Sequence, residues 1–329
     1  MKRSVFFNLL FLFLVFACAS LENNQKSTQK KWTLVKSTDD SKPLKRHEAA
    51  FVNVKDKFYL LGGRRIDYVS IFDAKTKKWT KGAKPPLEMH HFQPVVYKDD
   101  IYIIGALTGR YPAETPIENI YIYKTATDTW VKGDKIPAER LRGSTGNIIK
   151  NNTIYISCGI KDGHRSDHKK WLDSYNLKTK EWKVLPDAPR ARDHFQAVEA
   201  NNKIYVLAGR RSKAPKRTFH ETIAEVDVFD IKSEKWTTLP ENLPTQRAGN
   251  IALLYGKDVL VIGGESIHQK EAHNQVEGLN IFTHKWQNYP NLVQGRHGTG
   301  AFLYKNEIYI ASGCNNRGGS PELNTMEKY

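Results

Sequence analysis

Six tryptophans, Trp32, Trp79, Trp130, Trp182, Trp236 and Trp286, recur along the 329-residue chain at intervals of 47 to 54 residues, and only Trp171 falls outside the series. A period of this length, sustained over a whole chain, makes each interval one supersecondary unit that is too small to bury both its faces. The core must come from stacking the units on one another. The units share a local grammar. Phe72, Tyr123, Tyr175, Phe229 and Leu279 stand seven residues before a tryptophan, and Thr76, Thr127, Thr179, Ser233 and Thr283 stand three before it. Upstream, six alternating apolar runs each end in a small pair: FYLLGG, IYIIGA, IYISCG, IYVLAG, VLVIGG and IYIASG.

Alternation of period two, with small residues where backbones approach closely, predicts short antiparallel strands, about four to a unit. Arranging the units around an axis buries both faces of each, and closing the ring protects the two end edges. The chain ends specify how the ring closes. Tyr329 stands at the position of Phe72 with no tryptophan strand after it, while KKWTLV, residues 30–35, is a tryptophan strand with no unit before it. The expectation is an all-β fold: a six-bladed β-propeller of four-stranded blades over residues 30–329, closed by an N-terminal strand that completes the last blade.

A hydrophobic run, a small or glycine pair, then an aromatic and a tryptophan at fixed spacing resembles the Kelch repeat, and the resemblance covers nearly all of the chain after residue 29. The glycine pair is intact only at Gly62 and Gly63 and at Gly263 and Gly264, and Leu279 replaces the aromatic; these departures bear on packing rather than on fold. The repeated tryptophans and glycines read as structural. Exported bacterial Kelch propellers include sialate mutarotases, and a seven-bladed relative is the copper enzyme galactose oxidase, so the resemblance implies that both chemistries be weighed.

At the N-terminus, Lys2 and Arg3 precede an apolar run from Val5 to Ala17 that is short for a membrane span. Residues 1–18 read as a signal peptide whose VFAC, Val15 to Cys18, resembles the bacterial lipoprotein box, with Cys18 as the lipidated residue; residues 19–29 are a polar linker. The overlapping ACA, Ala17 to Ala19, offers the alternative of ordinary cleavage and a secreted protein without Cys18. Either route is extracytoplasmic, with the lipid anchor as the one membrane contact. The formal net charge of +16 attracts polyanions, and export makes the expected partner an anionic saccharide or an acidic peptide, not a nucleic acid. A monomer is expected. Cys158 and Cys314 fall in opposite blades, which argues against a disulfide.

In a four-stranded blade, the loop entering the first strand and the loop joining the second and third open on the same face of the disc. Sixteen residues before each small pair stand Arg46, Met89, Arg142, Arg192, Arg247 and Arg296, and the next two positions supply His47, His90, His91, Asp193, His194 and His297. The loops after the small pairs add Arg64, Arg65, Arg110, His164, Arg165, His168, Arg210, Arg211, Lys216, Arg217, His220, His268, His273 and Arg317. Ten of the eleven histidines thus fall on one face, His284 being the exception. They predict a positive, donor-rich funnel at the mouth of the central channel. For the five ring arginines the alternative is a tie between neighbouring blades through backbone carbonyls.

Such a funnel, with Tyr111, Trp171 and Phe219 interleaved, suits an anionic carbohydrate: a uronate, sialate or sulfated sugar whose acid groups arginine forks while aromatic faces stack on the ring. The expected ligand-binding set is Arg46, His47, His90, Arg110, Arg142, His164, Arg192, Arg210, Arg211, Arg247, His273, Arg296, His297 and Arg317. Should the protein also modify its ligand, the catalytic candidates are His91 and His194 as base or acid, Tyr111 as acid and Glu265 as an alternative base, in an epimerase, mutarotase or lyase reaction. A module gripping an acidic peptide is the other class. No cofactor is expected. The copper enzyme needs a cysteine cross-linked to tyrosine, whereas Cys158 sits in a small pair and Cys314 has no adjacent tyrosine; zinc spacings such as H-E-x-x-H and C-x-x-C are absent.

Overall fold

The computed structural model describes Met1 and residues 30–329; the expected signal peptide, Cys18 and polar linker lie outside the described residues. From Lys31 to Tyr329 the chain forms one compact unit of six four-stranded antiparallel sheets, with two short two-stranded ribbons, Leu107–Thr108 with Thr115–Pro116 and Ile160–Asp162 with Ser166–His168, and one short 3-10 turn at Ala138–Arg140. Blade one runs Ala49–Val54, Lys57–Gly62, Ser70–Asp73 and Lys78–Lys81. Blades two to five repeat this plan. Blade six takes Ala301–Tyr304, Glu307–Ala311 and Met326–Lys328 from the end of the chain, and its outer strand is Thr33–Val35, paired antiparallel from Thr33 opposite Lys328 to Val35 opposite Met326. The six-bladed propeller and its closure are as expected.

The seven-residue spacing is a cross-strand pair. Phe72 lies opposite Trp79, Tyr123 opposite Trp130, Tyr175 opposite Trp182, Phe229 opposite Trp236 and Leu279 opposite Trp286. The aromatic pairs have ring centroids 5.1 to 6.0 Å apart, a geometry that adds about 0.5–1.5 kcal/mol to burial alone. At the closure Trp32 stacks on Tyr329 at 5.4 Å, the same contact made between the two ends of the ring.

The small pair answers a backbone demand. Its first residue has φ between 53° and 75° in all six blades, at Gly62, Gly105, Cys158, Ala208, Gly263 and Ser312. The second has φ from 89° to 115° in five blades, all glycine, a region closed to residues with a Cβ. A Cβ at Gly159 or Gly313 would also stand 2.7 Å from the Gly143 carbonyl or 2.6 Å from that of His297, in the loop entering the first strand.

The ring arginines bond back to that pair. Arg46, Arg142, Arg192, Arg247 and Arg296 are at most 2% exposed, and each donates to the carbonyl of the first small residue sixteen positions on: Gly62, Cys158, Ala208, Gly263 and Ser312. In blades three to six the guanidinium also meets a buried carboxylate, Asp173, Asp227, Glu277 or Glu327, two residues before the third-strand position held by Tyr175, Phe229, Leu279 or Tyr329. In blade two both members change together: Met89 replaces the arginine and Tyr121 occupies the carboxylate position. The expected ligand-binding role of these five arginines is corrected here. Their guanidiniums fasten each blade internally, where a buried charge finds partners, while their main-chain carbonyls accept from the small-pair glycine of the preceding blade, Gly159 N–H to Arg192 at 2.9 Å and Gly209 N–H to Arg247 at 3.0 Å.

Two residues beyond each ring position the chain turns left-handed at Glu48, His91, Ser144, His194, Gly249 and Gly298, with φ from 52° to 63°. These six form a closed belt around the channel. His91 N–H donates to the Glu48 carbonyl, Ser144 to His91, His194 to the Ser144 hydroxyl, Gly249 to His194, Gly298 to Gly249, and Ala49 returns the chain to Gly298, at 2.7 to 3.1 Å.

Candidate functional site

The belt supplies the floor of the site. In blades five and six its residue is glycine, for which a positive φ carries no strain; Glu48, His91 and His194 hold the same conformation at a cost of about 1–2 kcal/mol each. Strain kept at positions where glycine serves elsewhere is a mark of side chains needed for what they do. Above the floor, a cavity of about 350 Å³ opens toward the channel mouth, lined by His47, Glu48, Arg64, His91, Tyr111, His164, Arg210, Thr218, Phe219, Glu265, Gly318 and Gly319.

Three imidazoles meet at its base. His91, His164 and His194 stand with ring centroids 4.5 to 4.9 Å apart and planes inclined at 67° to 76° to one another, all three buried. His194 Nε2 lies 2.9 Å from His164 Nε2. The opposite nitrogen of each of these two rings faces a carboxylate: His194 Nδ1 bonds Asp193, and His164 Nδ1 is 2.9 Å from Glu114 Oε1, which also accepts from Arg64 at 2.8 Å. Asp193 is held in turn by Ser212, through its backbone N–H at 2.9 Å and its hydroxyl at 2.7 Å, and by His168 at 3.1 Å. His90 Nε2 donates to the Gly109 carbonyl at 3.2 Å and its Nδ1 meets His91 Nδ1 at 2.6 Å. Burial pushes His90 down to about 3, His194 to about 4 and His91 well below the usual histidine range, so these rings are neutral at neutral pH.

Across the cavity the logic inverts. Burial disfavours a charge on His297, but Glu265 and Glu48, at 3.4 and 3.8 Å, outweigh it and push the ring up to about 10. Burial likewise opposes ionisation of Glu48 and Glu265, and the His297 charge overcomes it; Glu48 falls to about 2. Arg210 pairs with Glu265, and His47 Nδ1 with Glu322 at 2.7 Å.

The expected positive funnel is therefore a rim and not a floor. Arg110 and Arg211 are exposed, as are Arg65, paired with Glu322, and Arg217, paired with Glu221. Inside, Glu48, Glu114, Asp193 and Glu265 alternate with the cations, because a charge taken out of water needs a partner. Of the catalytic candidates, His91, Tyr111 and Glu265 line the cavity and His194 stands directly behind His91. Among the binding candidates, His47, His164 and Arg210 line it, His90 backs His91, and His297 reaches it through Glu265. Arg317 is engaged with the carbonyls of Ser266, Ile267 and Gln269, and His273 with Ser266 and Gln275, so both brace a loop. Trp171 is outside the cavity, under Arg140 at 4.0 Å and Lys169 at 4.7 Å. Sequence reasoning passed over Glu48 and Glu114 by collecting cations; Glu48 stands at the belt position that brought His91 and His194 to notice.

Comparison with known proteins places this geometry in a family. The Kelch-like protein terF of Aspergillus terreus is 27% identical over 92% of this chain and 68% of its own length. The N-(sulfonatooxy)prop-2-enimidothioate sulfolyase of Thlaspi arvense is 24% identical, over 87% of this chain and 89% of its own. A RING finger and kelch repeat protein of Dictyostelium discoideum is 26% identical, but the match spans only 20% of its length. The solved structure of YjhT shares the fold, with a TM-score of 0.73 at 16% identity over 87% of this chain and 95% of that one. Residues 21–271, well over half of the sequence, match the Attractin/LZTR1 beta-propeller model, and with its six Kelch blades the chain belongs to that family.

Proposed function

We propose that the channel-mouth cavity binds one small anionic ligand, sugar-sized and bearing a carboxylate or sulfate, and that the protein transforms it without hydrolysis. The observation that carries this reading is the cavity itself. Its volume of about 350 Å³ suits a single monosaccharide-sized molecule. Tyr111 and Phe219 offer aromatic faces, Arg64 keeps part of its guanidinium toward the opening, and the exposed Arg65, Arg110 and Arg211 draw anions to the rim. The uronates, sialates and sulfated sugars expected from the sequence meet these requirements. The sulfolyase of Thlaspi arvense, by name a lyase acting on an N-sulfonatooxy compound, supports an anionic substrate and a non-hydrolytic reaction. Export, with Cys18 as the lipid anchor, is proposed on the basic, apolar and small-residue order of the N-terminus.

The test is proton NMR of the purified protein with uronate, sialate and sulfated saccharides, alongside Arg64→Ala and Tyr111→Ala. Line broadening lost in both variants supports binding in the cavity, and new olefinic or anomeric signals name the reaction. Silence across the panel, with binding of acidic peptides instead, would replace this reading by that of a protein-interaction module.

A further inference from the structure

We propose that His91, His164 and His194 form a three-imidazole site for a divalent transition-metal ion of the zinc, iron(II) or cobalt(II) class, open toward the channel-mouth cavity. One nitrogen from each ring lies within 4.8 Å of one from each of the others.

The tautomers carry the argument. Asp193 can only accept, so it holds an N–H at His194 Nδ1, and Glu114, equally an acceptor and 2.9 Å from His164 Nδ1 though not aligned for a hydrogen bond, favours the proton on that nitrogen; the Nε2 atoms of His194 and His164 are then lone pairs. Those lone pairs point at each other across 2.9 Å. The third ring follows by the same reasoning. The Gly109 carbonyl takes the Nε2 proton of His90, so His90 Nδ1 accepts from His91 Nδ1–H, and His91 Nε2 is left as a lone pair 3.3 Å from the Glu48 carboxylate. Two acceptor nitrogens thus face each other and the third faces a carboxylate oxygen, with no proton to bridge either contact. A cation resolves this, and a divalent ion bonded to imidazole at about 2.0–2.1 Å holds neighbouring nitrogens about 3 Å apart.

The surroundings are those of a metal centre. Imidazole anchored at its far nitrogen by a carboxylate is the usual outer-shell arrangement of a metal-bound histidine. An all-imidazole set with carboxylate nearby and no thiolate suits zinc, iron(II) or cobalt(II) rather than copper(I). His91 and His164 also line the cavity, so positions not filled by histidine face whatever enters there. The site rests on the histidine geometry alone; its role as a Lewis acid toward an anionic ligand rests on the function proposed above.

The experiment is titration of chelator-treated full-length protein with zinc(II), followed by calorimetry, and with cobalt(II), followed by visible absorption, both without any organic ligand. One equivalent is expected to bind, with a cobalt spectrum of low coordination number. His164→Ala and His91→Ala should abolish it, and Asp193→Asn and Glu114→Gln should weaken it about 10–100-fold, while His273→Ala and His220→Ala leave it unchanged. Where a variant fails to fold, long-range nitrogen-proton NMR of the wild type decides: three unprotonated Nε2 atoms that shift together on adding zinc support the site. Absence of stoichiometric binding, or binding unchanged in His164→Ala, would overturn it. Saccharide binding by the zinc-free protein is read separately, so failure of the ligand reading is distinct from failure of the metal site.

Discussion

Arg247 and Glu277 offer the sharpest test of how the blades are held. Both side chains are almost wholly buried, at 0% and 5% exposed. The guanidinium donates to the carbonyls of Gly263 at 2.6 Å, Thr245 at 2.6 Å and Val261 at 2.9 Å and pairs with Glu277, which also accepts from Thr245 Oγ1 at 2.8 Å. Breaking such a pair from one side leaves a buried charge uncompensated, at about 3–5 kcal/mol. With an unfolding entropy of about 2.1 cal/mol/K per residue over roughly 300 residues, each kcal/mol moves Tm by roughly 1.6 °C, so Arg247→Met or Glu277→Tyr alone should lower it by about 5–8 °C. Blade two already carries Met89 and Tyr121 at these positions. The double variant should therefore recover much of the loss, with a coupling of about 2 kcal/mol or more in the mutant cycle. Calorimetry of the four proteins at one scan rate measures it. Single losses below about 1 kcal/mol, or a double variant as unstable as the sum of the singles, would refute the view that the pair is one unit.

Two further outcomes are expected. Trp32→Ala should destabilise the protein by about 3–5 kcal/mol and more than Trp286→Ala, because Trp32 is 4% exposed at the closure whereas Trp286 is only partly buried; the opposite order in thermal unfolding would contradict closure through the Trp32–Tyr329 contact. His297 is pushed up to about 10 from an ordinary value near 6.5, so its ion pairs with Glu265 and Glu48 contribute fully below about pH 6.5 and are lost as pH rises through 10. Its imidazole resonances should show a protonated ring at pH 8, and titration near neutrality would remove the ion-pair account.

Much of the fold is legible in the sequence because its determinants are local. The Phe72 and Trp79 spacing is one hairpin, and the Gly62–Gly63 pair is one backbone conformation, so a repeated string reports each directly. The site is less legible. His91, His164 and His194 are 73 and 30 residues apart and come from three blades, so no spacing motif reveals them. The ring arginines misled for a related reason. Their sixteen-residue spacing encodes a bond to a carbonyl, and the carboxylates that complete it, such as Asp227 and Glu327, stand at a repeat position two before the aromatic that was visible but unread.

The belt around the channel also behaves like a socket with six contacts. Its backbone bonds are made by main-chain groups in every blade but the third, where the Ser144 hydroxyl stands in, so the side chain at most positions is free to vary without loosening the ring. Glycine there is a blank. At Gly249 the nearest neighbours of an added Cβ would be side chains, His297 at 3.3 Å and Glu265 at 3.6 Å, whereas at Gly298 it would stand 2.8 Å from the Glu48 backbone nitrogen. One blank can thus be written on and the other cannot, which makes blade five the place where a propeller of this kind can acquire a new chemical group by a single substitution while its architecture stays as it is.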